Sequence, residues 1–288
     1  MDTGRERIID IPGYTLAARE WGPPDGTPVI ALHGWLDNAA SFSFLAPLCP
    51  EAHIIAIDSP GCGHSSHRPP GDIPSLIDEV YFILEAATQL GFKKFSLMGH
   101  SRGGIIAQMI AVGCPERVTS LILLDIFGIH SGTPAECISH FQKSVASFFG
   151  EPKVAAAIYP DVQTAAKGRM ASGSILYESA LKLAERGTKK VDGGYIWAID
   201  RRELTFISPS RYTEDYFREF MSAIHMPCCI ILADNGLYLK PEEIRTKARL
   251  IKNHTLHFIP GYHHVHMDNA PIVAGQVVDF LKTLSLLP

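Results

Sequence analysis

Phe95-Ser96-Leu97-Met98-Gly99-His100-Ser101-Arg102-Gly103-Gly104-Ile105-Ile106-Ala107-Gln108-Met109-Ile110 decides how the rest of the chain is read. The first four residues read as a strand. Ile105, Ile106, Met109 and Ile110 recur at helical spacing. Between them stands Gly99-x-Ser101-x-Gly103. A turn from strand to helix this tight needs small residues around the serine, and its strained backbone pushes the hydroxyl out at the carboxyl edge of a sheet. The following helix aims its N-terminus at the same point, where it favours developing negative charge. A bare G-x-S-x-G is a weak pattern. Between an apolar strand and an apolar helix it reads as a nucleophile turn, not as a βα turn with a polar tip.

Outward from this turn, strands and helices alternate. Pro28–Leu32, His53–Ile57 and Leu121–Leu124 are continuous apolar runs, as buried parallel strands are. A helix lies between, with Ser75 and Asp78 at its start, Val80, Ile83, Leu84 and Ala87 on one face and Gly91 as its stop. Arg7–Ile11 and Tyr14–Arg19 flank Pro12-Gly13 as a hairpin. The alternation breaks near residue 127. Helical text follows, with helices expected over 138–149, 175–185 and 214–221. The sheet pattern resumes with Cys228–Leu232, a helix over 241–250, the strand Leu256–Ile259 and a last helix over 271–284. The expected fold is α/β: a mostly parallel central sheet with helices on both faces. Residues 1–126 and 221–288 form its core, and 127–220 a helical insertion.

Composition narrows the function. The 288 residues are 46% apolar and 19% charged, which excludes a disordered or low-complexity chain. Lys and Arg number 26 against 30 Asp and Glu, a net charge of -4 without a dense basic block, a poor match to nucleic acid. The six cysteines form no C-x-x-C pair, so no structural zinc site is expected. The first residues lack the apolar core of a secretory signal, and no apolar run is long enough to span a bilayer. The expected location is the cytoplasm, with reduced cysteines.

A serine hydroxyl needs a base. In the order Ser…acid…His it arrives late, on a loop after the last strand. Pro260-Gly261-Tyr262-His263-His264-Val265-His266 lies there. His263, nearest the strand, is the expected base. His264 is the alternative, and His266 is expected to support the loop. His254, His257, His263, His264 and His266 lie close in sequence but form no H-E-x-x-H helix, so no metal is expected. Two amides should hold the oxyanion. Arg102, directly after the serine, would give one. Trp35, after the strand ending Leu32-His33-Gly34, would give the other.

These residues resemble the α/β-hydrolase fold and, more narrowly, the serine hydrolase-like (kraken-type) family. The resemblance rests on Leu32-His33-Gly34-Trp35-Leu36-Asp37-Asn38, Asp58-Ser59-Pro60-Gly61-Cys62-Gly63-His64-Ser65, Met98-Gly99-His100-Ser101, Pro115-Glu116-Arg117-Val118, Arg186-Gly187-Thr188-Lys189-Lys190-Val191 and His263-His264-Val265-His266-Met267. It spans most of the chain, the insertion included. It implies that residues 127–220 form a lid and that the reaction is that of a serine hydrolase of undefined substrate.

The triad acid departs from the fold's broad pattern. Its usual place is the loop after Cys228–Leu232, which here reads Ala233-Asp234-Asn235-Gly236-Leu237-Tyr238, with Gly236 at the expected position. Asp234 is close by. Asp125, at the end of the strand after the nucleophile helix, is the favoured alternative, and with neither in reach Ser101 and His263 would form a weaker dyad. Arg102 could bind an acidic substrate group or simply be solvated. The expected activity is hydrolysis of an ester, thioester or amide of a small to medium, apolar acyl substrate, through an acyl-enzyme and without a cofactor. The alternative is a catalytically weak or inactive α/β-hydrolase module that binds a ligand or partner through the lid.

Overall fold

The computed structural model describes residues 4–149, 157–205, 207–238 and 240–285. The N-terminal hairpin forms as expected, β1 (Arg5–Ile11) against β2 (Tyr14–Trp21). Then come β3 (Thr27–Leu32), β4 (Ala52–Ile57), helix α1 (Leu76–Gln89), β5 (Phe95–His100), α2 (Arg102–Gly113) and β6 (Val118–Leu124). Ser75 caps α1 by accepting from the amides of Ile77 and Asp78.

The inserted stretch holds β7 (Ser131–Gly132), α3 (Pro134–Phe148), α4 (Val162–Ser172), α5 (Tyr177–Gly187), the hairpin β8 (Thr188–Val191) and β9 (Gly194–Trp197), α6 (Arg201–Thr205), β10 (Tyr212–Thr213) and α7 (Glu214–Ser222). The stretch is less purely helical than its sequence suggested. Asp192-Gly193 turns β8 back on β9, with Gly193 at φ +83°. Parallel pairing of β7 with β10 draws the two ends of the stretch together. Thr133 and Glu136 form a capping box at the start of α3.

The chain returns through β11 (Cys228–Asn235), α8 (Pro241–Ala248), β12 (His254–Tyr262), α9 (Val265–Asp268) and α10 (Ala270–Ser285). The eight-stranded sheet runs β1-β2-β4-β3-β5-β6-β11-β12. It is parallel from β4 to β12, and only β2 pairs antiparallel on both sides.

Alternation along each strand divides the interior into two cores. Ile30, Ile55, Leu97 and Leu121 pack on one face with α1, α2 and α8. Val29, Ile54, Met98 and Ile122 pack on the other with α10. Helices therefore cover both faces, and the apolar runs are buried throughout. Such a sheet exposes its reactive positions at the carboxyl ends of its strands. Ser101, Asp125 and the loop after β12 all lie there.

Candidate active site

Ser101 stands between β5 and α2 at φ +49°, ψ −118°, a backbone that an L-residue adopts only under strain. Packing enforces the turn. A Cβ on Gly103 would lie 2.2 Å from the carbonyl oxygen of Leu32, and one on Gly99 would lie 2.4 Å from Cα of Gly104. The helix thus crosses the neighbouring strand at a distance only glycine permits. Arg102, the first residue of α2, presents one of the helix's unpaired first-turn amides.

Asp125 ends β6, fully buried and at φ +46°. Its Oδ2 lies 2.6 Å from Nδ1 of His263. The carboxylate also accepts the amides of Ala233 (3.0 Å) and Leu237 (3.1 Å). Three donors therefore fix one acidic group. Asp234 is solvent-exposed. Gly236 explains the departure from the fold's usual acid position: a Cβ there would lie 2.3 Å from Oδ1 of Asp125. The carboxylate from β6 fills the space that a side chain at 236 would need.

His263 is half-buried, its ring tethered by Asp125. His264, the alternative base, is turned into the protein, with Nδ1 donating to the carbonyl of Ser174 and Nε2 3.1 Å from Asp37. His266 is buried against the hydroxyl of Ser41. His100, inside the serine motif, donates from Nε2 to the carbonyl of His263 at 3.0 Å. Burial, and then the neighbouring histidines, hold the pKa of His100 well below its ordinary value, so a neutral ring supports the loop that carries His263.

A second group behind the site escaped the sequence reading: Asp37, His100, His264 and Arg169 come from four separate segments, and no spacing signals them. Arg169, from α4, donates to Asp37 at 3.0 Å and lies 3.5 Å from Nε2 of His264. Asp37, His100 and His264 are the one group among the described residues whose ligand atoms converge as a metal's would. The Arg169 guanidinium already neutralises Asp37, so a cation would have to displace it. Burial opposes ionisation of Asp37, but His264 and Arg169 hold its pKa well below 3.8. A carboxylate with a depressed folded pKa stabilises above its unfolded value and loses that contribution as pH falls through the folded one. Asp37→Asn should lower Tm at neutral pH and flatten the loss of Tm below about pH 4, as measured by thermal melts across pH; an unchanged acid limb would refute the assignment.

Arg102 is neither free for substrate nor solvated. Its guanidinium pairs with Glu79 and, at 3.1 Å, with Glu203 of α6. Arg68 reaches the same Glu203 at 3.2 Å. Buried Arg68, half-buried Arg102 and two buried glutamates thus bind the inserted stretch to the core beside Ser101. Trp35 adds a bond from its indole N–H to the carbonyl of Glu203, 2.9 Å. On the far side, Arg186 of α5 grips Asp58 with both carboxylate oxygens within 2.7 Å, so Asp58 is a buried ion-pair partner as well as a loop former.

Ser101, Arg102 and Trp35 line one cavity of about 350 Å³. Its walls include Leu76, Ile105, Ile126 and Leu237 from the core, and His130, His140, Glu203 and Ile207 from the inserted stretch.

Residues 27–270 match the family model of the alpha/beta hydrolase fold. A serine hydrolase-like protein of Danio rerio is 32% identical over 96% of this chain and 88% of its own length. The chain belongs to the serine hydrolase-like family of α/β hydrolases. Within that family, a human serine hydrolase-like protein 2 is 29% identical over 98% of this chain and 96% of its own. A crystal structure of a hypothetical protein from Pseudomonas aeruginosa PAO1 superimposes with a TM-score of 0.89 at 37% identity, covering 96% of this chain and 99% of the other. This α/β hydrolase has, among its described residues, no helix long and apolar enough to cross a membrane. Fold and relatives together support a hydrolase.

Proposed function

We propose that the protein is a serine hydrolase of carboxylic ester or related acyl bonds. The observation that carries this reading is the 2.6 Å contact between Asp125 and Nδ1 of His263, at the sheet edge that also presents the strained Ser101. Nδ1–H donates to Asp125. That leaves Nε2 as the base that takes the proton of Ser101 as its oxygen attacks the carbonyl carbon. The amides of Trp35 and Arg102 hold the oxyanion. Protonated His263 then gives its proton to the leaving group, and the acyl-enzyme is released by a water that His263 activates.

The inserted stretch 127–220 acts as the lid. It supplies one wall of the cavity and is anchored beside the serine through Glu203. A cavity of about 350 Å³ with Leu76, Ile105, Ile126, Ile207 and Leu237 in its walls favours a small to medium, largely apolar acyl group. The contact between Asp125 and His263 favours this reading over a catalytically weak or inactive binding module, whose motive was an uncertain acid.

A fluorophosphonate probe tests the reading directly. Wild-type protein should be labelled at Ser101 and Ser101→Ala should not. Folded wild type that resists the probe, or equal labelling of the alanine variant, would overturn it.

A further inference from the structure

Oδ2 of Asp37 faces two imidazole nitrogens at once, Nε2 of His264 at 3.1 Å and Nδ1 of His100 at 3.7 Å. The three atoms lie within 4.8 Å of one another, and all three residues are buried. Each ring commits its other nitrogen to a backbone carbonyl, Nε2 of His100 to His263 and Nδ1 of His264 to Ser174. A carbonyl only accepts, so those nitrogens carry the protons. In a neutral ring the facing nitrogen then presents a lone pair. Two lone pairs thus point toward one carboxylate oxygen. The Arg169 guanidinium relieves this on one side only: it donates to Oδ1 of Asp37 and lies 3.5 Å from Nε2 of His264. Nδ1 of His100 has no hydrogen-bond partner among the described residues. A buried polar atom left in that state calls for a ligand.

We propose that Oδ2 of Asp37, Nδ1 of His100 and Nε2 of His264 bind a transition-metal dication of the Zn²⁺ class, in exchange for the Arg169 guanidinium. Zinc bonds of about 2.0–2.1 Å at tetrahedral angles set ligand atoms roughly 3.3–3.4 Å apart. The separations of 3.1 and 3.7 Å straddle that spacing. Two imidazoles and one carboxylate suit such an ion, whereas Ca²⁺ and Mg²⁺ take oxygen ligands. The bonds to the carbonyls of His263 and Ser174 are the outer contacts that fix the tautomer of a metal-binding histidine. Gly34 keeps the space clear: a Cβ there would lie 2.7 Å from Nδ1 of His100 and 3.0 Å from Oδ2 of Asp37.

Arg169 marks the way in. Its side chain is 19% exposed, against 1% for that of Asp37. As it swings out toward solvent, the ion enters along the same path, with water as the fourth ligand. Binding would release this contact of α4 and instead tie together the loop after β3, the end of β5 and the loop after β12. The site contains neither Ser101 nor Asp125, so it stands independently of the hydrolytic reading. It bears on the base only through His100, whose Nε2 holds the carbonyl of His263.

Titration of the chelator-stripped full chain with Co²⁺, followed by Zn²⁺ competition, tests this without reference to catalysis. Wild type should bind one Co²⁺ per chain, with the visible absorption of a four-coordinate nitrogen and oxygen site and no near-ultraviolet thiolate band; Zn²⁺ should displace it. Asp37→Asn and His264→Gln should each weaken binding by at least about 30-fold. Arg169→Met should tighten it by about tenfold, because the competing cation is gone. His257→Gln, outside the group, should change nothing. Circular dichroism checks each variant, and Arg169→Met, altered at a half-buried side chain, keeps the test decisive if a ligand variant fails to fold. Wild type that binds no Co²⁺ up to about 1 mM overturns the proposal, even where Arg169→Met binds, since the arginine would then be the permanent occupant. A thiolate band, binding that survives loss of Asp37 or His264, or binding that Arg169→Met leaves unchanged also overturns it.

Discussion

Asp125→Asn should lower kcat for an activated ester by about 10⁴-fold while leaving KM within a few-fold, the signature of a base held in the wrong tautomer. The carboxylate has three donors around it: His263 Nδ1 and the amides of Ala233 and Leu237. An asparagine has one acceptor oxygen. Either orientation sets its NH₂ against a backbone N–H or against the imidazole. When it faces the imidazole, Nδ1 becomes the acceptor and Nε2 carries the proton, so no lone pair faces Ser101. A loss of less than tenfold would move the acid elsewhere. Gly236→Asp, at the position the wider fold uses, should not rescue activity but abolish it, since its Cβ would fall 2.3 Å from Oδ1 of Asp125. Paired with Asp125→Gly, which suits the left-handed backbone there, the same change should recover about tenfold over Asp125→Gly alone. Both measurements need only steady-state hydrolysis of a p-nitrophenyl ester.

Arg102→Met should cost about 3–5 kcal/mol of stability, because it strands buried carboxylates beside one remaining arginine. In a chain of this size that is a fall of about 10 °C in Tm. Burial raises the pKa of Glu203 above its ordinary 4.5, and the Glu79 carboxylate adds to the effect. Between 4.5 and the folded value the folded state therefore binds more of this proton than the unfolded chain does. The stabilisation from that proton is complete below 4.5 and disappears as pH rises through the folded value. The deficit of the variant should accordingly shrink as pH is lowered from 7 to 5. Calorimetry across that range decides the matter: a deficit that grows on acidification would mean that the glutamates are not the penalised groups. The backbone amide of residue 102 survives the substitution, so kcat at low temperature should stay within about tenfold.

Much of this architecture could be read in the chain itself. The apolar runs at β3, β4, β5, β6 and β11 are two-sided burial written in sequence, and Gly99-x-Ser101-x-Gly103 placed the turn because only glycine survives that crossing. Other parts were less legible, for physical reasons. Asp125 and Asp234 both close an apolar strand, and nothing local says which faces inward; the informative residue was Gly236, a vacancy shaped by its neighbour. Asp192-Gly193 carried a hairpin signal, but it stood inside a stretch dominated by helical periodicity. Helix α4 has no clear apolar stripe and a glycine at 168, so periodicity passed over it. Arg102 was ambiguous because its partners, Glu79 and Glu203, lie 23 and 101 residues away. The group formed by Asp37, His100, Arg169 and His264 exists only once the sheet is closed.

The bonds around Asp125 have a bearing on how such a chain can change. Its N–H binds the carbonyl of Ile231, its carboxylate binds Ala233 and Leu237, and two residues on, Phe127 exchanges hydrogen bonds with the hydroxyl of Tyr238. Every one of these bonds ties the chain where it enters the inserted stretch to the chain that follows the stretch. Asp125 is thus held from both sides of the insertion point by bonds that none of α3 to α7 makes. On the proposed reading, residues 127–220 would be a cassette: remodelling it would change the cavity wall while the contact between Asp125 and His263, made outside it, stayed in place.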